Sequence, residues 1–192
     1  MNCIIIPGCP PNNKESIAKA KDPKRRTYDT HWMPWTKKEL TKKGIKTEVA
    51  LMPNPWQPKY REFKGEFEKY KINKNTILIG HSCGTAFLVK WLGETKQKVN
   101  RLILISPWKI PDENDKIKIE FYGFKIDKTI KERVKKIIYF TADNEAKDGK
   151  ESLKIYKKAL DGKIINIKGY GHYIEKHMKT TKFPELLEEI LN

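Results

Sequence analysis

Thr76-Ile77-Leu78-Ile79-Gly80-His81-Ser82-Cys83-Gly84-Thr85-Ala86-Phe87-Leu88-Val89 changes character at its midpoint. The run up to Ile79 is apolar and largely β-branched, as a strand buried on both faces reads. From Ser82 to Leu92 the chain reads as a mostly apolar helix that ends at Gly93. Between them, Gly80-His81-Ser82-Cys83-Gly84 has the form G-x-S-x-G. A serine on a sharp strand-to-helix turn exposes its hydroxyl, needs small neighbours, and sits where a helix N-terminus favours developing negative charge. The plain alternative is a glycine-rich turn that only lets the helix pack close to the sheet.

Five further aliphatic runs flank this one: Asn2–Ile6, Lys46–Leu51, Arg101–Ile105, Lys136–Phe140 and Lys163–Ile167. Helical patterns lie between them. Thr30 to Lys43 ends at Gly44, and Pro58 to Tyr70 carries Tyr60, Phe63, Phe67 and Tyr70 down one side. Lys147 to Leu160 and Pro184 to Leu191 complete the alternation. Strand and helix in turn predict a three-layer α/β/α sandwich around a mostly parallel six-stranded sheet. The length of 192 residues suits a single domain, residues 1–192. Two segments break the rhythm. Residues 10–29 read as a long polar, basic loop, and residues 106–128 read as a lid-like insertion rich in aromatics.

A hydrophobic fraction of 38% with 10% aromatics excludes a disordered chain. No apolar run approaches the roughly 18–20 residues of a membrane span, and the N-terminus lacks the basic n-region of a signal peptide. Three cysteines without a CxxC pair fit neither a disulfide framework nor a zinc site, so a reducing cytoplasm is expected. The net charge of +16 raises a polyanion partner. Only 5 of the 40 basic residues are Arg, however, the residue that phosphate and guanine recognition favours. Solvated lysine surfaces are the better reading, and nucleic acid is not the expected partner. From Lys19 to Lys46, ten basic residues face three acids, a local basic stretch that could steer anionic substrates.

A nucleophilic Ser82 needs a base and a group to orient it, in the chain order serine, acid, histidine. His172, in Gly169-Tyr170-Gly171-His172-Tyr173 after the last strand, is the expected base. His81 is expected to point away from the site, His31 to begin a helix, and His177 to lie in a polar stretch. Asp143, first after the fifth strand, is the expected acid, with Glu145 and Asp148 as fallbacks. Backbone amides of Cys9 and Cys83 are the expected oxyanion donors, because Pro10 and Pro11 have none. Trp56, Trp108, Phe121 and Tyr122 are candidates to line an acyl pocket, with Phe124 from the same stretch. Trp32, Trp35, Phe63 and Phe67 read as core. No metal or cofactor is required. Gly8 followed by two prolines offers no run of amides to cradle a phosphate, which weakens a flavodoxin-like nucleotide-binding alternative.

Several elements together carry a resemblance. They are the serine turn, Thr30-His31-Trp32 with Pro34-Trp35, Lys37-Lys38-Glu39-Leu40, Met52-Pro53-Asn54-Pro55 with Gln57-Pro58, Pro111-Asp112-Glu113-Asn114, and Gly171-His172. In this order the chain resembles the compact α/β-hydrolases of the retinoblastoma-binding protein nine type. That resemblance implies a reduced α/β-hydrolase fold, a triad on Ser82, Asp143 and His172, and esterase-like activity. Two departures stand out: Asn144-Glu145 follows the acid where relatives have Asp-Pro, and no Leu-x-Cys-x-Glu segment supports binding to pocket proteins. The expected chemistry is hydrolysis of small esters, and of amides, through an acyl-enzyme. A non-catalytic binding protein with a vestigial triad is the alternative, associating with polyanions through its basic surface.

Overall fold

The computed structural model describes residues 1–111 and 115–192. Six strands form one sheet: β1 (Asn2–Ile6), β2 (Lys46–Val49), β3 (Thr76–His81), β4 (Val99–Ile105), β5 (Val134–Thr141) and β6 (Lys163–Asn166). Their order is β2-β1-β3-β4-β5-β6, and every neighbouring pair is parallel. The six runs read from the sequence are thus the six strands, with ends shifted by one or two residues.

Continuous apolar runs are required because successive strand residues face opposite sides, and both sides are covered. Ile4, Ile6, Leu78, Leu102, Leu104 and Tyr139 join a core with α3 (Tyr60–Phe67), α4 (Cys83–Thr95) and α7 (Lys147–Leu160). Their neighbours Cys3, Ile5, Ile77, Ile79, Ile103 and Phe140 join a second core with α2 (Met33–Lys42) and α9 (Pro184–Leu191). This is the expected three-layer sandwich. The α3 stripe packs Phe63 and Phe67 on Phe87 of α4, with ring centroids 5.6 and 5.3 Å apart. Trp32 is buried and Trp35 packs against the second core, as expected.

Two expectations need correction. Residues 10–29 are not all loop: they contain α1 (Lys14–Lys21), capped by Asn13, whose side chain accepts from the Ser16 amide at 2.8 Å. This helix buries only Ala20, so it left no apolar stripe to read. Residues 106–128 contain α5 (Lys116–Tyr122), capped in the same way by Asp115, and are followed by α6 (Ile130–Arg133). Apart from Pro111, the Pro111-Asp112-Glu113-Asn114 element lies outside the described residues. The last short helix, α8 (Glu175–Met178), follows the His172 loop.

The strand order reverses between β1 and β3. Loops leaving the carboxyl ends of these two strands diverge to opposite faces and open a crevice between them. The segment after β1 and the serine turn after β3 meet there.

Candidate active site

Steric fit shapes the serine turn. A Cβ on Gly80 would lie 2.8 Å from Gly84 and Thr85 backbone atoms, and one on Gly84 would lie 2.4 Å from the Ile6 carbonyl oxygen. No side chain fits at either position, so both flanks are glycine. Ser82 itself has φ 51° and ψ −118°, a conformation that costs energy and persists only where the surroundings over-determine it. Its amide donates to the Ile105 carbonyl at 3.0 Å, tying the turn to β4.

The His172 Nε2 lies 2.9 Å from Ser82 Oγ. On the other side of the ring, Nδ1 lies 3.2 and 3.1 Å from the two carboxylate oxygens of Glu145. A carboxylate accepts only, so Nδ1 carries the hydrogen and Nε2 presents its lone pair to the serine hydroxyl. The Trp108 ring stands T-shaped against the same imidazole, with centroids 5.5 Å apart.

The carboxylate that meets His172 is therefore Glu145, the fallback, and not Asp143, the first choice. Asp143 does not reach His172. Its Oδ1 accepts from the Gly169 amide at 2.7 Å and the Asn144 amide at 2.9 Å, and the residue is exposed. The Gly169 hydrogen bond is the main cause holding its carboxyl below the usual range. Two more residues of turn bring Glu145 under the site, only 5% exposed. Burial pushes its carboxyl upward, but the His172 hydrogen bond and charge, with the Ala146 amide, outweigh this and leave it lowered. A Cβ on Gly149 would lie 2.8 Å from Glu145 Cγ. A glycine inside α7, one turn after Glu145, was the available signal for the carboxylate that meets His172. Asp148, the other fallback, lines the cavity described below.

Cys9 and Cys83 are joined by a disulfide, Cα to Cα 5.7 Å, which the cysteine spacing did not reveal. The bond needs only spatial proximity, and the sheet provides it across 74 residues of sequence. It ties the segment after β1 to the first residue of α4, whose amide, like all first-turn amides, has no intrahelical partner. Cys3 is free and buried.

A cavity of about 730 Å³ opens over Ser82 and His172, walled by Cys9, Pro10, Pro11, Trp108, Ile110 and Tyr122. Trp108 and Tyr122 therefore lie in the wall of the cavity over Ser82. Phe121 does not: it is buried against Phe63 at 5.5 Å, because adjacent residues of α5 point to different sides. Nor does Trp56, whose ring lies under Lys21 Nζ at 5.4 Å, away from the cavity wall. Phe124 packs on the first core and under Lys109 Nζ at 4.3 Å. The cation in the cavity wall is Lys118, 3.4 Å from Asp115, and none of the basic residues of segment 12–29 lines it. Among the described residues, no group of three or more His, Cys, Asp or Glu side chains could hold a metal ion. No described helix is long and apolar enough to cross a membrane.

Known proteins share this arrangement of chain. The YdeN protein of Bacillus subtilis (strain 168) is 30% identical over 86 residues, a match spanning 43% of this chain and 45% of that protein, less than half the length of either. The crystal structure of the ydeN gene product superposes with a TM-score of 0.82 at 21% identity, covering 99% of this chain and 96% of that one. Est1E from Butyrivibrio proteoclasticus, solved with ferulic acid bound, gives 0.60 at 12% identity over 100% and 90% of the two chains. Carboxylesterase CesB from Bacillus subtilis gives 0.55 at 13% identity over 99% and 81%. These likenesses establish an α/β-hydrolase fold. Residues 25–190 match the family described as serine hydrolase, and the chain belongs to that family.

Proposed function

We propose that the protein cleaves small carboxylic esters, and amides more slowly, through a Ser82–His172–Glu145 triad. The observation that carries this reading is the continuous relay of contacts, 2.9 Å from Ser82 Oγ to Nε2 and 3.1 Å from Nδ1 to Glu145. His172 Nε2 takes the hydroxyl proton as Oγ attacks the carbonyl carbon, and Glu145 stabilises the imidazolium that results. The amides of Cys9 and Cys83 hold the oxyanion, with the α4 N-terminus adding its positive end. As the tetrahedral intermediate collapses, His172 returns the proton to the leaving alcohol. A water molecule, deprotonated by the same nitrogen, then releases the acid.

Trp108, Tyr122, Ile110 and the two prolines suit an apolar acyl group, and the cavity of about 730 Å³ is of the size that holds small organic ligands. Segment 106–128 contributes three of those side chains, which is the role a lid would have. Kinship to the retinoblastoma-binding protein nine type belongs to the same reading and rests on the Trp32–Trp35 and Met52–Pro55 elements. So does residence in the cytoplasm, which would set the Cys9–Cys83 bridge against a reducing thiol pool; its redox state in cells is the relevant measurement.

The test is turnover of p-nitrophenyl esters and labelling by a fluorophosphonate. Ser82→Ala is expected to abolish both. Unchanged turnover in that variant, or a wild-type protein that never labels, would leave a non-catalytic binding protein as the better description.

A further inference from the structure

The loop that carries His172 has no regular structure, yet side chains from the rest of the molecule satisfy its backbone groups one after another. The Gly169 amide donates to Asp143 at 2.7 Å and the Gly171 amide to Asn144 at 2.8 Å. The His172 amide donates to His177 Nδ1 at 3.0 Å, and the His172 carbonyl faces His81 Nε2 at 2.8 Å. The Tyr173 carbonyl accepts from Trp32 Nε1 at 3.1 Å, and the Glu175 amide donates to His31 Nδ1 at 3.1 Å. The chain has four histidines, and all four meet here.

The hydrogen bonds dictate the state of each ring. A carbonyl can only accept, so His81 Nε2 carries the hydrogen. Burial, followed by the nearby His172 charge, holds the His81 pKa well below its usual value, so the ring is neutral and its Nδ1 is bare. That buried Nδ1 has no hydrogen-bond partner in the described structure, and a Cβ on Gly8 would lie 3.1 Å from it. His177 must accept at Nδ1, so its hydrogen sits on Nε2. A Cβ on Gly171 would lie 2.7 Å from His177 Nδ1, so only glycine lets the ring close on the next amide.

We infer that His177 and His81 are positioning residues for the catalytic base: they grip the two backbone groups of His172 itself, one on the amide and one on the carbonyl. Neither needs to touch Ser82 or a substrate. With both ends of the residue held, the imidazole swings only about its own side-chain torsions, and Ser82 and Glu145 fix those. Displacement of a catalytic group by an ångström can cost about a hundredfold in rate, so a grip on the peptide unit acts directly on kcat.

This inference rests on His172 being the base, and the test separates the two. His81 is 3% exposed, and a folding defect would confound its replacement; His177 is exposed and carries the experiment. His177→Ala removes the acceptor, His177→Asn puts an oxygen at the Nδ1 position, and His177→Gln puts its polar atoms further out. The Ala and Gln variants are expected to lose about tenfold in kcat on p-nitrophenyl acetate, as for loss of one hydrogen bond, with KM unchanged. The Asn variant is expected to recover most of kcat. Hydrogen exchange of the His172 amide should quicken in the Ala variant and slow again in the Asn variant, whether or not the protein turns over ester.

A reactive wild type whose Ala variant keeps full kcat, or whose Asn and Ala variants lose equally, overturns the positioning role alone. A wild type that neither labels with fluorophosphonate nor turns over ester takes down both readings.

Discussion

The serine turn after β3 and the acid turn after β5 stand at the same end of the same sheet, yet their sequences constrain them very differently. At the serine turn, backbone atoms occupy the space around Gly80 and Gly84, so only glycine fits and the pattern is written into adjacent residues. At the acid turn, Asp143 and Glu145 are both carboxylates after a strand. Which of them meets His172 depends on a loop that arrives from 27 residues away. Local sterics make a motif readable, whereas a choice between two equivalent groups is made by whatever packs against them.

Exchanging the chemistry of the two carboxylates tests this contrast most directly. Glu145→Gln is expected to lower kcat/KM roughly a thousandfold or more, by presenting the wrong partner to His172 Nδ1. Asp143→Asn, which keeps an oxygen for the Gly169 amide, is expected to cost less than about tenfold on the same kinetic scale. The reverse order of losses would restore Asp143 as the acid.

The disulfide tests how much the serine turn depends on its neighbour after β1. Cys9→Ala removes a crosslink across 74 residues of sequence. Loss of about 4 kcal/mol is expected from chain entropy, read as a lower denaturant midpoint with an unchanged slope. An unchanged midpoint in the oxidised protein would mean that the bond is not formed in solution.

Gly149→Ala addresses the acid turn through packing. Helix propensity alone would favour alanine by about 1 kcal/mol. The clash with Glu145 Cγ at 2.8 Å is expected to outweigh it, for a net loss of about 1–3 kcal/mol and a fall in kcat as the carboxylate is displaced. A stabilised, fully active variant would show that Glu145 has room to spare.

The last expectation concerns pH. Burial, with the His172, His177 and Lys19 charges, lowers His31 from 6.5 to about 4, so the folded ring stays neutral where the unfolded one takes a proton. The unfolded state then binds more protons across that window, and stability falls as pH drops from about 6.5 towards about 4. His31→Asn, which keeps an acceptor for the Glu175 amide, should flatten the decline in thermal midpoint between those pH values. An equally steep decline in the variant would assign the acid sensitivity elsewhere.

Periodicity and composition sufficed for the six strands, the five main helices and the strand–turn–helix around Ser82, because apolar runs, helical spacing and the glycine flanks of the turn are written in residues close in sequence. Helix α1 escaped because it buries almost nothing, and pattern reading depends on burial. Phe121 and Trp56 do not line the cavity: Phe121 sits on the side of α5 that faces Phe63, and Trp56 sits in a turn with its ring under Lys21, placements set by how those segments pack on the rest of the fold. The Cys9–Cys83 bond and the pairing of Glu145 with His172 join groups that the sheet alone brings together. The layered sheet and the strained turn at Ser82 follow from the residue pattern alone, through local sterics and the covering of both strand faces. Three-dimensional packing chose which carboxylate meets His172, joined the two cysteines and set the histidines around the His172 loop. Those contacts depend on the order of strands in space, which the order of residues in the chain does not contain.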